Sequence, residues 1–277
     1  MFDIFVKRKK IVLDCFVYKP FIYNYAKIDH GRKFLPNWWK MTKPEDCPKG
    51  LNIKYCRGLI DFYQKGIVIP SWFSLDVTIS ALPKREYTYD CSDTTGFKLE
   101  NHNRNQFLGF AKEHGFSFKI GPGWKLKTRK KIYFTWTQPT WDMRNTMFNM
   151  STLPAVINFY NQHHTAINFF MEYRETEQKL EIKPLQPLVI LHPLTEDEIQ
   201  IRHHLISQTE FESIDKGIYQ MAARRDFETI ESNMDIYDRI KVYKKWIYER
   251  EKIIDKAYSD KENKEPYHYL TEKDDGK

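Results

Sequence analysis

The chain has 277 residues, 41% hydrophobic and 16% aromatic, with 44 Lys and Arg against 37 Asp and Glu. A chain of this length buries roughly 70–75% of its unfolded surface, so its core requires neither a disulfide nor a metal. The net charge of +7 suits a nucleic acid, an acidic protein partner or plain solvation, while 11 glycines without GxGxxG or GxxxxGK(S/T) exclude the dinucleotide and P-loop folds.

In chain order, Ile11-Val12-Leu13-Asp14-Cys15-Phe16-Val17-Tyr18 reads as a first strand, stopped by Pro20. Pro36-Asn37-Trp38-Trp39-Lys40 brings two adjacent tryptophans. On an extended chain they point to opposite faces, one into the core and one as a lid over it. Residues 47–56 are a polar loop, and 52–63 a short helix or irregular segment. Gly66 permits a turn into residues 67–79, whose second half alternates as a half-buried strand. Residues 84–96 are a charged surface loop. A brief helix is predicted over 105–113, a strand over 116–120 and a turn at Gly121-Pro122-Gly123. Further strands are predicted within 124–136, 154–160, 165–173 and 180–182.

The last β segment, Pro187-Leu188-Val189-Ile190-Leu191-His192-Pro193, is a short branched apolar run bounded by prolines. That pattern predicts a strand buried on both faces. Short strands separated by turns point to a mainly β domain, a jelly-roll or β-clip-like sandwich or barrel, over residues 1–194 with an N-terminal extension. Residues 195–258 are predicted to be an α-helical C-terminal region. Its clearest part is 227–257, where Ile230, Met234, Tyr237, Ile240, Tyr243, Ile247, Ile254 and Ala257 recur at helical spacing. Residues 259–277 are predicted to be a charged flexible tail.

Cys15, Cys47, Cys56 and Cys91 form no CxxC pair and no zinc-spaced quartet with histidine. No metal and no cofactor are expected. The first ten residues lack the apolar core of a secretion signal, and no apolar run approaches the ~18 residues of a membrane span. A soluble protein made in a reducing compartment, with no membrane partner, is expected.

The most suggestive stretch for binding is residues 124–136. Lys125, Lys127, Arg129, Lys130 and Lys131 would contact phosphates while Tyr133 and Trp136 stack on bases, or the same residues would meet a protein partner. Simple alternation offers the plainer alternative, with Trp124 and Leu126 inward and Lys125 and Lys127 in water. The pairs His163-His164 and His203-His204 diverge on either a strand or a helix, so surface or loop positions are expected. Asp61 and Asp76 are the acids set in otherwise apolar segments. No Ser-His-Asp or Cys-His set can be picked out, and no catalytic residue is assigned.

Four boxes, Pro36-Asn37-Trp38-Trp39-Lys40, Asn52-Ile53-Lys54-Tyr55-Cys56, Ile69-Pro70-Ser71-Trp72 and the 187–193 strand, occur in an order that resembles an uncharacterised family from tailed bacteriophages. That family has a late Gly-Thr-Pro where Leu185-Gln186 precede Pro187 here, and a proline where Arg57 stands. The resemblance implies a non-catalytic phage protein, a virion structural or assembly component. It would work through contacts with other phage structural proteins or with itself, in the host cytoplasm during assembly or in the virion. Residues 121–191 are also similar in order to the β-clip core of dUTPase and dCTP deaminase. That similarity implies an enzyme, or a degenerate one, acting on nucleotides. The catalytic aspartate of those enzymes falls at Asn158, whose amide takes no proton. Trp38, Trp39, Trp72 and Asn158 are therefore the pocket candidates.

Overall fold

The computed structural model describes residues 10–43, 45, 52–83, 86–93, 99–101, 116–139, 150–160, 166–214, 248–249, 252–253 and 255–256. Among them the chain is mainly β, arranged in four sheets, none of which closes on itself. The helix predicted over 105–113 lies outside the described residues.

The organising strand is β14 (Pro187–Pro193), inside a five-stranded sheet ordered β11 (Ala155–Ile157), β9 (Phe134–Thr137), β14, β3 (Ile67–Pro70), β2 (Asp29–His30). Leu188 to Leu191 are each fully buried. Val189 and Leu191 enter the main core, while Ile190 turns to the opposite face and meets Tyr63 and Val68. A bulge between Pro187 and Val189 shifts the register against β3, so Leu188 also reaches the main core. The expected burial on both faces is what the strand shows.

That opposite face is covered by α3 (Arg57–Lys65) and by Trp39 of α2 (Asn37–Met41). At the end of α3, Gly66 donates its N–H to the Phe62 carbonyl and accepts from Gly31 N–H at 2.7 Å. A Cβ there would lie 2.7 Å from the Phe62 carbonyl oxygen and 2.5 Å from Ile190 Cδ1. Gly66→Ala should therefore lower stability by about 1–3 kcal/mol through overpacking, read as a fall in urea midpoint. An unchanged midpoint would mean the helix end has room to shift.

The second sheet pairs β15 (Glu198–Leu205) with β1 (Lys10–Val17) in parallel, and β1 with β8 (Lys125–Thr128) antiparallel. Here the structure departs from expectation. Residues 198–205, read as the start of a helical region, form a strand of the β layer. Alternating Ile199 and Ile201 supply its inward face. The helical part that follows is α4 (Gln208–Ile214), together with described helical residues between 248 and 256. Most of the expected 227–257 helix lies outside the described residues, as does the 259–277 tail. Where it is described, Ile253 packs with Phe211 against Phe16, Ile206 and Ile214.

The other two sheets are β10 (Met150–Thr152), β12 (Ile167–Met171), β7 (Phe116–Ile120), β6 (Glu100–Asn101), and β13 (Gln178–Ile182), β4 (Leu75–Leu82), β5 (Glu86–Asp93). The 84–96 stretch, expected as a loop, holds the whole of β5. All four sheets contribute to one apolar cluster that includes Leu13, Val77, Phe118, Phe134, Phe169 and Leu191. The remaining helix, α1 (Pro20–Tyr25), starts at the proline that stops β1 and buries Ile22 and Tyr23.

Candidate functional site

The sheet β15-β1-β8 has two different faces. Ile11, Leu13, Cys15 and Val17 of β1 and Leu126 of β8 face the main core. By alternation Asp14 and Phe16 face the other way, and the ladder sets Lys127 opposite Asp14 and Lys125 opposite Phe16. On the other side of β1 stand Arg202 and His204.

This second face is not in water. Asp14 is 0%, Lys127 2%, Lys125 4% and His204 4% exposed. His204 Nε2–H donates to Asp14 Oδ1 at 2.8 Å, and the imidazole stacks on Phe16 with ring centres 4.9 Å apart. Lys125 Nζ donates to the Phe211 carbonyl of α4 and sits 4.0 Å from the centre of that ring. Lys127 Nζ donates to the Tyr160 carbonyl at 3.2 Å and lies 4.9 Å from the tyrosine ring. Each buried ammonium thus has a carbonyl and an aromatic face in place of water. The expected placement of Lys125 and Lys127 in solvent is overturned: period two correctly separates them from Leu126, but α4 and Tyr160 cover the face they occupy.

The remaining members of the 124–136 stretch divide. Trp124 is buried, donates Nε1–H to the Ala26 carbonyl at 3.0 Å and meets His203 edge-on. Trp136 is 2% exposed, so it offers no stacking face. Arg129 is held by Asp255 at 2.7 Å, an exposed pair of modest worth. Lys130, Lys131 and Tyr133 are exposed in the turn between β8 and β9. The structure does not bring the seven candidates together as one surface.

Nor do the pocket candidates converge. Trp38 and Trp39 lie on the helix α2, about 100° apart rather than on opposite faces of a strand. Trp39 packs on Tyr63 at 5.1 Å, and Trp38 meets Trp39 at 5.8 Å. Trp72 packs instead on Phe21 and Phe73, under Lys19 Nζ at 4.6 Å, and donates Nε1–H to the Gly121 carbonyl at 3.3 Å. Gly123 has φ +76°, and a Cβ there would lie 2.8 Å from the Trp72 ring, which accounts for the Gly121-Pro122-Gly123 turn against this tryptophan. Asn158 Oδ1 accepts from the Tyr160 N–H at 2.9 Å, a turn-forming contact at the end of β11.

The acids flagged in the sequence are not buried. Asp61 pairs with Arg57 one helical turn earlier, and Asp76 points outward from β4. Asp14, the buried one, carried the same signal of an acid inside an apolar strand.

His203 and His204 are not surface residues. His203 Nε2–H donates to the Ile28 carbonyl at 2.8 Å, and burial pushes its pKa down to about 4. His192 behaves similarly, donating Nε2–H to the Phe62 carbonyl at 3.0 Å, with burial lowering its pKa.

A cleft of about 430 Å³ opens between α3 and the β14–β15 connection, lined by His30, Arg57, Asp61, Lys65, Glu196 and Glu198 among others. Lys65 pairs with Glu196 across it at 3.1 Å, while Arg57 pairs with Asp61 along α3 on one wall. Burial lowers the His30 pKa, and its Nδ1 is buried without a hydrogen bond. Among the described residues no group of three His, Cys, Asp or Glu side chains is arranged as metal ligands, and no helix is long and apolar enough to cross a membrane. No protein-family model, curated protein or solved structure matches the chain.

Proposed function

We propose that the chain is a non-catalytic bacteriophage protein, a structural or assembly component of the virion that works through protein–protein contacts. The observation that carries this reading is the apolar edge of the five-stranded sheet. At the end of that sheet, β11 pairs with β9 alone among the described residues. Exposed apolar side chains lie on it and just before it: Val156 is 61% exposed, Ala155 is exposed, and Leu153, two residues before the strand, is 36% exposed. An edge strand with outward apolar side chains is a template for pairing with another chain, and it is what isolated soluble domains block with charge. In this reading the four sheets about one core are a jelly-roll-type sandwich.

Phage lineage is supported by Leu185. It adopts φ 62°, a left-handed conformation that costs a branched residue roughly 1 kcal/mol and glycine nothing. The phage family that the sequence resembles has glycine at that place in its last box.

Val156→Lys tests the proposal. The side chain is largely exposed, so the thermal transition should stay within a degree or two of the parent. Light scattering of the parent should show self-association or a complex with particle proteins, lost in the variant. Mass spectrometry of purified particles should find the parent chain. A strictly monomeric parent that is absent from particles would overturn the proposal.

A further inference from the structure

We propose that the face carrying α2, the turn Ile53–Tyr55 and the start of α3 binds single-stranded nucleic acid. Among the described residues four cations lie on or beside these elements: Lys40, Lys43, Lys54 and Arg57. Between Arg32 and Arg57 the sequence has seven basic residues against Glu45 and Asp46, an excess of five charges out of the net +7. Lys40, Lys43 and Arg57 are exposed. Among the described residues Arg57 pairs with Asp61 in the same helix, with its side chain 82% exposed, so it can turn to a phosphate at little cost.

Between these cations stand exposed rings and apolar side chains: Tyr55 is 61% and Trp38 36% exposed, with Met41 at 75% and Ile53 at 43%. The buried Asn52 fixes the arrangement. Its Nδ2 donates to the Lys43 carbonyl at 2.6 Å, and its Oδ1 accepts from Lys54 N–H at 2.9 Å. The end of α2 is thereby tied to the turn that carries Ile53 and Tyr55. Trp39 on Tyr63 anchors α2 to α3.

Cations that follow a polyanion, with exposed aromatic faces between them, are the two parts of a single-strand site. A duplex keeps its base faces stacked and has no use for the rings. A second copy of this basic face would be repelled.

The test is fluorescence anisotropy with a fluorescein-labelled oligothymidylate of about 20 nucleotides, using the full chain at about 50 and 200 mM salt. Binding should weaken at least tenfold between the two salts. Trp38→Ala and Tyr55→Ala should each weaken it about tenfold with unchanged thermal transitions. Lys40→Ala with Lys54→Ala should flatten the salt dependence. Lys130→Ala with Lys131→Ala should change nothing. Four results would each overturn the assignment: no binding at tens of micromolar protein; equal affinity for the duplex; loss of binding on changing Lys130 and Lys131 but not Trp38 and Tyr55; or displacement by polyglutamate as effective as by unlabelled oligothymidylate, which would make the face a dock for acidic protein.

Discussion

Asp14→Leu is expected to cost about 3–5 kcal/mol of folding stability, the largest effect of any single change considered for this chain. The carboxylate is fully buried, and it accepts from His204 Nε2–H at 2.8 Å in the middle of the β15-β1-β8 sheet. Leucine leaves that N–H buried without its acceptor. It also removes the acidic group that stands opposite Lys127 in the ladder. Breaking one side of a buried polar pair is costly, because the remaining side keeps its desolvation without its partner. Replacing both partners is a different matter. Asp14→Leu with His204→Phe keeps the stacking surface for Phe16 and should recover at least half of the loss. Urea unfolding with m-values checks both variants. A single variant within 1 kcal/mol of the parent, or a double variant no better than the single, would show that the pair is not coupled.

Acid should destabilise the protein through His203. Burial pushes its pKa to about 4, while the hydrogen bond to the Ile28 carbonyl opposes that shift and Lys27 adds to it. The unfolded value is near 6.5. Above pH 6.5 the imidazole is neutral in both states and the full stability is present. Below it the unfolded chain takes up a proton that the folded site refuses. Stability then falls by about 1.4 kcal/mol per pH unit and levels off near pH 4, a total of about 3 kcal/mol. His192 and His30, lowered by burial as well, add to the slope in the same direction. Unfolding free energies of the parent and of His203→Gln between pH 7 and pH 4.5 separate the His203 share from that of the carboxylates. The two profiles should converge as pH falls, and parallel profiles would remove His203 from the account.

The parts of the fold legible in the sequence are those whose burial is decided by the chain's own pattern. The strand at 187–193 has four successive apolar residues between prolines, and no solvated face can accommodate them. Residues 11–17 are similar. Lys125 and Lys127 were not legible, because alternation tells which residues share a face but not whether that face meets water. Here the cover is α4 and Tyr160, remote in sequence. His203 and His204 were misplaced for the same reason: the strand that holds them pairs with β1, and nothing near residue 200 announces that partner. Adjacent tryptophans show no period by themselves, so the extended placement of Trp38 and Trp39 had no local check against the short helix that follows Pro36. The exposed face around Tyr55 could have been suspected from the basic excess between residues 32 and 57, which the overall net charge concealed.

The parallel pairing of β1 with β15 sets a schedule for synthesis. Asp14 and His204 are 190 residues apart. At the usual pace of translation, roughly 10–40 seconds separate their emergence from the ribosome. Only in the later part of that interval, once β8 has emerged, is one side of β1 covered; the other side, with an acid still lacking its imidazole, stays an open edge until β15 is made. β1 is thus made well before the strand that completes it. A nascent chain held in that state has an edge ready to pair with a neighbour, so crowded polysomes, rather than the finished protein, are where misassembly of this fold would begin.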